Sequence, residues 1–519
     1  MKPESDIHSM DTSVSRPLFL ALAILLLAAC AGPSLKKDRV KEDASYAREP
    51  ATEGVLWEMA NDVMSEHGPE FSGFRLLDAS HDSLSARLAL IDSAVSSIDI
   101  QTYLWYPDNS GRLILERAVE AAERGVSVRL IIDDLLTIGQ DQVIYELNQH
   151  PQIQLRLFNP WQDRTTLARG GQMIAEMERL NTRMHDKLVI ADGNAAIVGG
   201  RNIGDHYFGL SHDYNFHDLD LLGFGHVARQ ANRMFDAFWN NDWVVSAINL
   251  DTEPDPEFAR QTWAEIQLKN RAAPELQVFG TEPNDWSEVL AVVADELHIG
   301  SSELVYDEIV EDAVNQAVVE KMTSFMSQTQ NELLITNAYI IPSEKGIEFV
   351  RTLTGRGVKI RILTNSLASH DVPAVNSHYK DWRDDFILAG AELYELRADP
   401  AIRSIVDVPP VEGGFTGLHT KAVVVDREQV FIGSMNFDPR SANINAEGGV
   451  FVHSPGLAED LAQVMERDMQ AENAWQVLLD DKGKPYWINS DETVYKQPAR
   501  DGGQRIMDKI FKVVPKEQY

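Results

Sequence analysis

The sequence predicts an α/β fold of two similar domains, each a mixed β-sheet flanked by helices, related to one another by a pseudo-twofold axis. Three observations lead to this prediction. A strand–helix pattern occurs twice in the chain, a short motif of histidine, lysine and aspartate follows each copy, and 519 residues are too many for one hydrophobic core. The 44% content of hydrophobic residues is that of an ordinary globular protein.

The strand–helix pattern covers residues 96–134 in the first half and 331–365 in the second. Each copy is predicted to form a strand, a loop, a helix and a second strand that is rich in Val and Ile. The predicted helices end at Gly125 and Gly357, because glycine is the usual stop signal after a helix. Strands joined through helices form βαβ units, so each half should contain a largely parallel or mixed sheet.

A motif of one histidine, one lysine and one aspartate follows each copy. Its members are His185, Lys187 and Asp192 in the first half and His419, Lys421 and Asp426 in the second. A tail with glycine and asparagine comes next in both halves, over residues 199–202 and 433–436. The spacing between the two histidines nearly equals the spacing between Gly125 and Gly357, so we infer that a whole domain is duplicated.

These landmarks divide the chain into five predicted segments. They are a signal peptide over residues 1–29, a tether over 30–55, a first domain over 56–250, a connector that ends in a helix over 251–330, and a second domain over 331–519. The connector has an acidic, proline-containing start and a helical stretch from about Asp312 to Thr329. Residues from Ala31 to about Thr52 are polar and charged, which is typical of a tether.

The N-terminus has the features of a secretory signal. An apolar run over residues 18–29 is shorter than the roughly 20 residues that cross a bilayer. It ends directly before Cys30, the single cysteine of the chain, so an internal disulfide is excluded. The alternatives are a short membrane anchor or an accidental apolar run, and translation from Met10 would shorten the leader.

Residues 27–30, Leu-Ala-Ala-Cys, resemble the lipobox of bacterial lipoproteins, in which the cysteine becomes the lipidated first residue of the mature chain. The resemblance implies a protein of the bacterial cell envelope that is anchored through lipid on Cys30. Ala31 is not the aspartate associated with retention in the inner membrane. In a Gram-negative cell we therefore expect placement at the outer membrane.

The formal net charge of −33 bears on the choice of partner. Binding of nucleic acid depends on Lys and Arg that neutralise phosphates, and here 80 acidic residues outnumber 47 basic ones. The charge therefore argues against a nucleic-acid substrate. The sequence leaves the oligomeric state open.

Residues two apart in a strand point to the same face, so His185 and Lys187 should project together, and His419 and Lys421 likewise. Asp192 and Asp426 complete the two motifs and count among the candidate catalytic residues. They stand at the strand ends with the opposite parity, however, and we expect them to brace the turn rather than to contact substrate.

Two such halves around one axis would place two lysines beside a single phosphodiester and its developing negative charge. One neutral histidine could then attack phosphorus, while the other, protonated, could give its proton to the departing alcohol. Covalent catalysis of this kind needs no metal and no other cofactor. A zinc site would need further ligands at short spacing, such as H-E-x-x-H, which the sequence lacks.

A catalytic histidine usually has a carboxylate on its other ring nitrogen. The first half offers Asp218, which follows His185, and the second offers Glu447, which follows His419. Each precedes an apolar run that is consistent with a strand, and we assign both as the groups that orient the histidines. Asp220 is the alternative in the first half, and a surface position is the other interpretation of these acids.

These residues resemble the paired HKD motifs of the phospholipase D superfamily, over about Leu56 to Arg500. The resemblance implies that His185 is the nucleophile and His419 the general acid. It also implies a phosphate-binding set, which consists of Lys187, Lys421, Asn202 and Asn436, with Ser434 in addition. The serine has no counterpart in the first half, where Gly200 takes its place, so a hydroxyl is available from one half alone.

Within the superfamily the chain looks most like the bacterial cardiolipin synthases, especially the C-type subgroup, in the segments 179–187, 198–209 and 433–447. The resemblance implies a phosphatidyltransferase that makes cardiolipin or a related lipid through a phosphatidyl-histidine, with phospholipids of a membrane as its substrates. One alternative is a phospholipase D, in which water accepts the group and phosphatidic acid is released. Another is a non-catalytic envelope lipoprotein, against which the intact histidines and lysines argue.

Overall fold

The computed structural model describes residues 34–137, 139–164, 172, 176–311, 313–490 and 492–511. The predicted signal peptide and Cys30 lie outside the described residues. Among the residues that are described, none of the helices is both long and apolar enough to cross a membrane.

The strands of both halves join into one continuous mixed sheet. In sheet order from the outer edge, the first half contributes Val244–Ser246, Ile153–Phe158, Ser127–Asp133, Ser97–Thr102, Leu188–Ala191, Ala195–Gly199, Asp220–Gly225 and Phe71–Leu77. The second half continues with His298–Tyr306, Gly448–His453, Gln429–Gly433, Lys421–Val425, Glu332–Asn337, Lys359–Asn365, Glu392–Leu396, Ala474–Leu479, Pro485–Ile488 and Thr493–Val494. The halves meet where Phe71 pairs with Ser301 in antiparallel register, and the order on one side mirrors that on the other. The predicted mixed α/β architecture with two related halves is confirmed.

Helices cover the sheet and connect its strands. Those of the first half and the connector are Val55–His67, Ser80–Ser93, Asn109–Glu123, Asp141–Leu147, Met177–Asn181, His226–Trp239, Pro256–Ala272 and Ser287–Asp295. Those of the second half are Ala317–Ser327, Glu344–Gly355, Pro373–Tyr379, Arg383–Leu388, Arg403–Val406, Pro439–Asn443, Pro455–Asp468 and Gly502–Phe511. Two small pairs stand outside the main sheet, Ile309–Val310 with Ala313–Val314 and Asn215–His217 with Thr416–Leu418.

The repeated βαβ unit forms as its sequence predicts. In the first half, Ser97–Thr102 and Ser127–Asp133 are parallel neighbours joined through the helix Asn109–Glu123. Gly125 follows that helix with a φ of 96°, and Gly357 follows the corresponding helix with a φ of 93°. These left-handed conformations let the backbone turn back at the helix end without a steric penalty from a side chain.

The two halves also share a hydrophobic core. Ile190 and Val198 of the first half pack in the same cluster as Val430 and Val450 of the second, beneath the helices His226–Trp239 and Pro455–Asp468. Burial of apolar surface across the dyad holds the halves together as one body. The active-site residues described below come from both sides of this shared core.

The structure differs from the predicted domain boundary at residue 331. The strand His298–Tyr306 lies inside the sheet next to the dyad, where it corresponds to Phe71–Leu77 of the first half. Val318 and Phe325 of the following helix pack in the core of the second half. The second half therefore begins at about His298. The sequence of this strand, HIGSSELVY, is too polar to be recognised as a strand from its pattern of apolar residues.

The structure also differs from the predicted tether in its described part. Residues from Ser34 onward lie against the first half, where Leu35 N–H donates to the carbonyl of Gln162 at 3.1 Å. Ala47 N–H donates to the carboxylate of Asp236 at 2.9 Å. A polar, charged segment resembles a linker in sequence, but these backbone groups find specific partners and form a docked strap over residues 34–51.

Candidate active site

Each motif lies at the edge of the sheet where the central parallel strands have their carboxyl ends. His185 and Lys187 precede the strand Leu188–Ala191, and Lys421 is the first residue of Lys421–Val425. The carboxylate of Asp133, which ends a central strand, accepts from Met184 N–H at 3.2 Å and so fixes the residue before His185. The histidines thus stand in the loops before their strands, whereas the sequence placed them within the strands.

The two halves exchange backbone hydrogen bonds directly at the histidines. His185 N–H donates to the carbonyl of Ala446 at 2.8 Å, and His419 N–H donates to the carbonyl of His217 at 2.8 Å. In each case the acceptor immediately precedes an acid, Glu447 or Asp218. This pairing brings the acid of one half beside the histidine of the other.

The histidine–carboxylate pairs are therefore crossed between the halves. Nδ1 of His185 lies 2.8 Å from Oε2 of Glu447, and Nδ1 of His419 lies 2.6 Å from Oδ2 of Asp218. Because an ionised carboxylate only accepts, each Nδ1 carries the proton and each Nε2 has a free lone pair when the ring is neutral. The sequence identified both acids but counted each from the histidine of its own half, and that pairing is wrong.

The two motif lysines are buried beside the histidines. Each Nζ donates to the backbone carbonyl of its own motif histidine, Lys187 to His185 and Lys421 to His419. Burial lowers the pKa of Lys187 to about 7 against the opposing charge of Glu447. Burial likewise lowers the pKa of Lys421 to about 8 against the charge of Asp218. Both ammonium groups lack bulk solvation, which favours the arrival of an anion.

The imidazoles respond to the same environment. Burial lowers the pKa of His185 to about 4, against the opposing charge of Glu447, so this ring is neutral at pH 7. Burial, together with the charge of Lys421, also lowers the pKa of His419. A phosphodiester bound between the lysines would add a negative charge, and an added negative charge raises the pKa of His419 and of both ammonium groups.

The carboxylates stay ionised although they are fully buried. Burial alone would raise the pKa of Glu447, but the charge of His185 and its hydrogen bond lower the net value. Burial acts on Asp218 in the same sense, and the charge and hydrogen bond of His419 again lower its pKa. Each carboxylate can therefore stabilise a positively charged imidazole throughout the neutral range of pH.

Asp192 and Asp426 lie outside this centre, which corrects their place among the candidate catalytic residues. The Asp192 carboxylate accepts from the backbone N–H groups of residues 95–97 at 2.7 to 3.2 Å. Asp426 accepts from residues 330–332 in the same way, at 2.7 to 2.9 Å. Both hold the start of the neighbouring strand. Asp220, the alternative orienting acid, forms ion pairs with Arg87 and Arg201. Within the described residues its carboxylate accepts no hydrogen bond from a histidine.

The tails after the motifs pack against the carboxylates. Ser434 Oγ donates to Oε2 of Glu447 at 2.6 Å. A Cβ atom on Gly200 would lie 2.5 Å from Oδ1 of Asp218, so the shorter acid of the first half leaves no room for a serine. The difference between Gly200 and Ser434 therefore follows from the exchange of Glu for Asp.

The two asparagines of the tails are buried at the same edge of the sheet. Oδ1 of Asn202 accepts from Leu104 N–H at 3.2 Å. Oδ1 of Asn436 has no hydrogen-bond partner within the described part of the chain. A buried amide oxygen without a partner is unusual, and it is suited to a ligand group that donates a hydrogen bond.

Three tyrosines at the site were not singled out from the sequence: Tyr207, whose ring lies 5.2 Å from that of His419, and a pair at equivalent positions in the two halves, Tyr103 and Tyr339. The ring of Tyr103 lies 5.1 Å from the ring of His185, and Nζ of Lys187 stands 5.4 Å from its centroid. Tyr339 lies 6.3 Å from His419 and 5.8 Å from Nζ of Lys421. Tyr103 and Tyr339 follow the first strand of the repeated unit within two residues, which is the signal that a comparison of the repeats could have used.

Asp186 is a further buried acid, between His185 and Lys187 in the chain. Its two carboxylate oxygens have no hydrogen-bond partner among the residues that the structure describes. Burial, followed by the charge of Glu447, raises its pKa well above the usual value. Asp186 therefore favours the neutral form of its carboxyl more than an exposed aspartate does.

The centre thus has two neutral histidines, two carboxylates and two lysines, and once a bound phosphodiester holds both lysines in the charged form, the charge of these six side chains sums to zero. Protonation of one histidine leaves a single positive charge, which matches the single negative charge of a phosphodiester. In the described ranges, no group of three or more His, Cys, Asp or Glu side chains is placed to hold a metal ion. The arrangement is suited to nucleophilic attack by one imidazole and proton transfer by the other.

Comparisons with known proteins agree with this geometry. The family described as "Cardiolipin synthase, PLD-like domain" matches residues 88–239 and 322–469, one match in each half. The chain is 33% identical to cardiolipin synthase C of Escherichia coli (strain K12) over 476 residues, which cover 88% of this chain and 97% of that protein. It is 23% identical to cardiolipin synthase B of Shigella flexneri over 77% of this chain and 82% of the relative.

Among solved structures, phosphatidylserine synthase from Haemophilus influenzae Rd KW20 matches with a TM-score of 0.57 and 13% identity, over 89% of this chain and all of that one. At this identity the match concerns the fold, and it agrees with the duplicated sheet. The two family matches and the long alignment to the Escherichia coli protein decide the classification. The chain belongs to the cardiolipin synthase family of proteins with paired phospholipase D-like domains.

Proposed function

We propose that the chain transfers a phosphatidyl group from one phospholipid to a hydroxyl group of a second, and that it makes cardiolipin when both are phosphatidylglycerol. The crossed histidine–carboxylate pairs around two buried lysines carry the proposal, since they supply a nucleophile, a proton donor and a phosphate site in one place. The relatives named as cardiolipin synthases support the choice of product.

In the first step Nε2 of His185 attacks phosphorus and a P–N bond forms. The P–O bond to the departing alcohol breaks, and Nε2 of His419 gives that oxygen its proton. Glu447 faces the ring that now carries phosphorus and positive charge, while Lys187 and Lys421 balance the phosphoryl oxygens. The products of this step are a phosphatidyl-histidine and a free alcohol, with His419 neutral.

The second step is the reverse of the first, with the acceptor alcohol in place of the alcohol that departed. The acceptor hydroxyl gives its proton to Nε2 of His419, its oxygen attacks phosphorus, and the P–N bond to His185 breaks. The proton that His419 lost in the first step is thereby restored, so the cycle needs no external acid. The same centre would hydrolyse the intermediate if water took the place of the acceptor.

The segment 436–441 supports transfer over hydrolysis. Asp438 caps the helix Pro439–Asn443 by accepting from Ser441 N–H at 2.8 Å. Arg440 donates to Oδ1 of Asn181 in the first half at 2.6 Å, so the segment bridges the halves beside the phosphate site. We infer that this bridge shapes the acceptor side.

Product analysis tests the proposal. Purified enzyme incubated with phosphatidylglycerol, with and without phosphatidylethanolamine, should yield cardiolipin with little phosphatidic acid, because the acceptor hydroxyl competes with water for the intermediate. Lipid products are separated and identified by mass spectrometry, with a His185→Asn preparation as the matched control. Phosphatidic acid as the main product, with acceptor lipid in excess, would instead make the enzyme a phospholipase D.

We further propose that Cys30 carries a lipid anchor at the bacterial cell envelope. The docked strap supports this proposal, since Ser34 forms a bridge with Asp163, which follows the carboxyl end of the strand Ile153–Phe158, on the same edge of the sheet as the active site. The chain from Cys30 to Ser34 can span at most about 14 Å. An anchor on Cys30 would therefore keep the active-site edge close to the membrane that holds the substrates.

Mass spectrometry of the protein from its native envelope tests the anchor. We expect a mature chain that begins with Cys30 and carries diacylglycerol and an amide-linked acyl group, and that fractionates with the outer membrane of a Gram-negative cell. A Cys30→Ser variant should remain unprocessed or be released from the membrane. An unmodified Cys30 in the wild-type protein rules the anchor out.

A further inference from the structure

An apolar cleft lies beneath the first helix of the connector, Pro256–Ala272. It consists of two neighbouring cavities of about 220 Å³ and about 150 Å³. Both cavities are lined by Leu115, Val143, Leu147, Thr262 and Ile266, so they lie side by side, and we call the pair the connector cleft. The walls are the helices Asn109–Glu123 and Asp141–Leu147, and the floor includes Leu130 and Leu155 of the sheet.

Polar contacts at both ends hold the connector helix above this space. At its C-terminal end, Asn270 Nδ2 donates to Oε2 of Glu116 at 2.6 Å. Just before its N-terminal end, Gln142 Nε2 donates to the carbonyl of Glu253 at 3.0 Å. Between these contacts the helix presents Trp263 and Ile266 to the cleft. The connector helix is thus fixed near both of its ends, and the apolar space beneath its middle part stays open.

The cleft begins next to the candidate phosphate site. Trp105 lines the larger cavity, and the backbone on either side of it pairs with Ile203, the residue that follows the tail of the first motif. Ile203 N–H donates to the carbonyl of Leu104 at 3.1 Å, and Tyr106 N–H donates to the carbonyl of Ile203 at 2.9 Å. Tyr103, which contacts His185, stands two residues from Trp105, about 7 Å along an extended chain.

Size and chemistry single out one kind of occupant. Apolar side chains supply most of the lining, beside a few charged ones such as Arg112 and Glu265, and such walls favour a hydrocarbon because its burial removes apolar surface from water. The connector helix has 17 residues and is therefore about 25 Å long, whereas one lipid acyl chain spans about 15 Å, half of a bilayer core. The part of this helix that lines the two cavities runs from Phe258 to Lys269, about 16 Å, so a single extended chain fits the cleft and would join the glycerol ester at the end near Trp105.

We propose that the connector cleft binds one acyl chain of the phospholipid whose phosphatidyl group is transferred. The proposal rests on the proposed function for the identity of the lipid. With one chain in the cleft, the phosphodiester lies at the cleft mouth between the two motif histidines. The connector therefore serves as a binding element for substrate as well as a link between the halves.

Fluorescence quenching tests occupancy without any need for turnover. The probe is phosphatidylglycerol with dibrominated acyl chains in detergent micelles, since bromine quenches tryptophan at short range. We expect a component of quenching that is lost in the Trp105→Phe variant and kept in a Trp487→Phe control, because Trp487 packs in the core of the second half. Quenching that is the same in Trp105→Phe as in the wild type overturns the proposal.

A variant in which a side chain fills the cleft tests whether the cleft determines the preference for long acyl chains. Ile266→Trp places a bulky ring inside the cleft, and Leu268→Trp places the same ring on the exposed side of the same helix, where Leu268 is 68% exposed. For phosphatidylglycerol with long chains, Ile266→Trp should lower kcat/KM about tenfold, the effect of about two buried methylene groups. With six-carbon chains, and in Leu268→Trp, kcat/KM should stay unchanged.

An equal loss for long and short chains in Ile266→Trp would overturn the proposal. Either kind of turnover, transfer or hydrolysis, serves as the readout, so a failure of the proposed transferase activity does not decide this test. A protein without any turnover is judged by the quenching experiment alone.

Discussion

His419→Asn is expected to lower the conversion of phosphatidylglycerol on the order of 10⁴-fold or more, and His185→Asn should do the same. Each histidine performs a step that the other cannot take over, because Nδ1 of each ring is held by its own carboxylate. The asparagine amide can keep the hydrogen bond to that carboxylate. The buried acid then retains a partner, and thermal unfolding followed by circular dichroism should remain within a few degrees of the wild type.

A substrate with a better leaving group separates the two roles. Phosphatidyl-p-nitrophenol releases nitrophenolate, which needs no proton, so the loss of the general acid should not block the first step. His419→Asn should release about one nitrophenolate per enzyme and then stall, because no base activates the acceptor for the second step. The trapped phosphatidyl group should be found on His185 by mass spectrometry.

His185→Asn should give no such burst, since it lacks the nucleophile. A burst from His185→Asn together with none from His419→Asn would reverse the two roles. Rapid conversion of ordinary phosphatidylglycerol by either folded variant would exclude the two-histidine mechanism altogether. The comparison is direct because the two variants carry the same substitution in symmetrical surroundings.

The duplication explains how much of the fold the sequence could predict. The helix stops at Gly125 and Gly357 and the buried strands beside them have local signals, so the βαβ units are recognisable without a structure. The strand His298–Tyr306 has no comparable apolar alternation, and it is stabilised by its neighbours on both sides. Such a strand depends on the tertiary context and cannot be identified from its own residues.

The candidate site, like the fold, could be predicted from the sequence only in part. Two copies of the motif identify the histidines and lysines, and the apolar runs after Asp218 and Glu447 indicate which acids precede a strand. Which acid meets which histidine depends on the dyad, through the backbone pairing of Ala446 with His185 and of His217 with His419. Sequence separation carries no information about this exchange. The strap over residues 34–51 was missed for a related reason, since its partners are backbone and side-chain groups distant in the chain.

Glu447→Gln and Asp218→Asn are expected to reduce turnover by roughly 10³- to 10⁴-fold, with different steps affected in each variant. Glu447 contacts His185, so Glu447→Gln removes the negative charge that stabilises the phosphorylated imidazole. The burst with phosphatidyl-p-nitrophenol should become slow. Asp218 contacts His419, so Asp218→Asn should leave that burst fast and slow the conversion of ordinary lipid, which needs the proton.

The opposite assignment of steps would follow if each acid served the histidine of its own half, as the order in the chain suggests. A fast burst in Glu447→Gln with a slow one in Asp218→Asn would therefore contradict the crossed pairs. Asp426→Asn is the matched control, because its carboxylate holds three backbone N–H groups away from the histidines. It should lower the free energy of unfolding by about 1–3 kcal/mol and leave the burst unchanged. Since each half holds the acid that completes the other, neither half alone contains a complete histidine–carboxylate pair, and catalysis requires both.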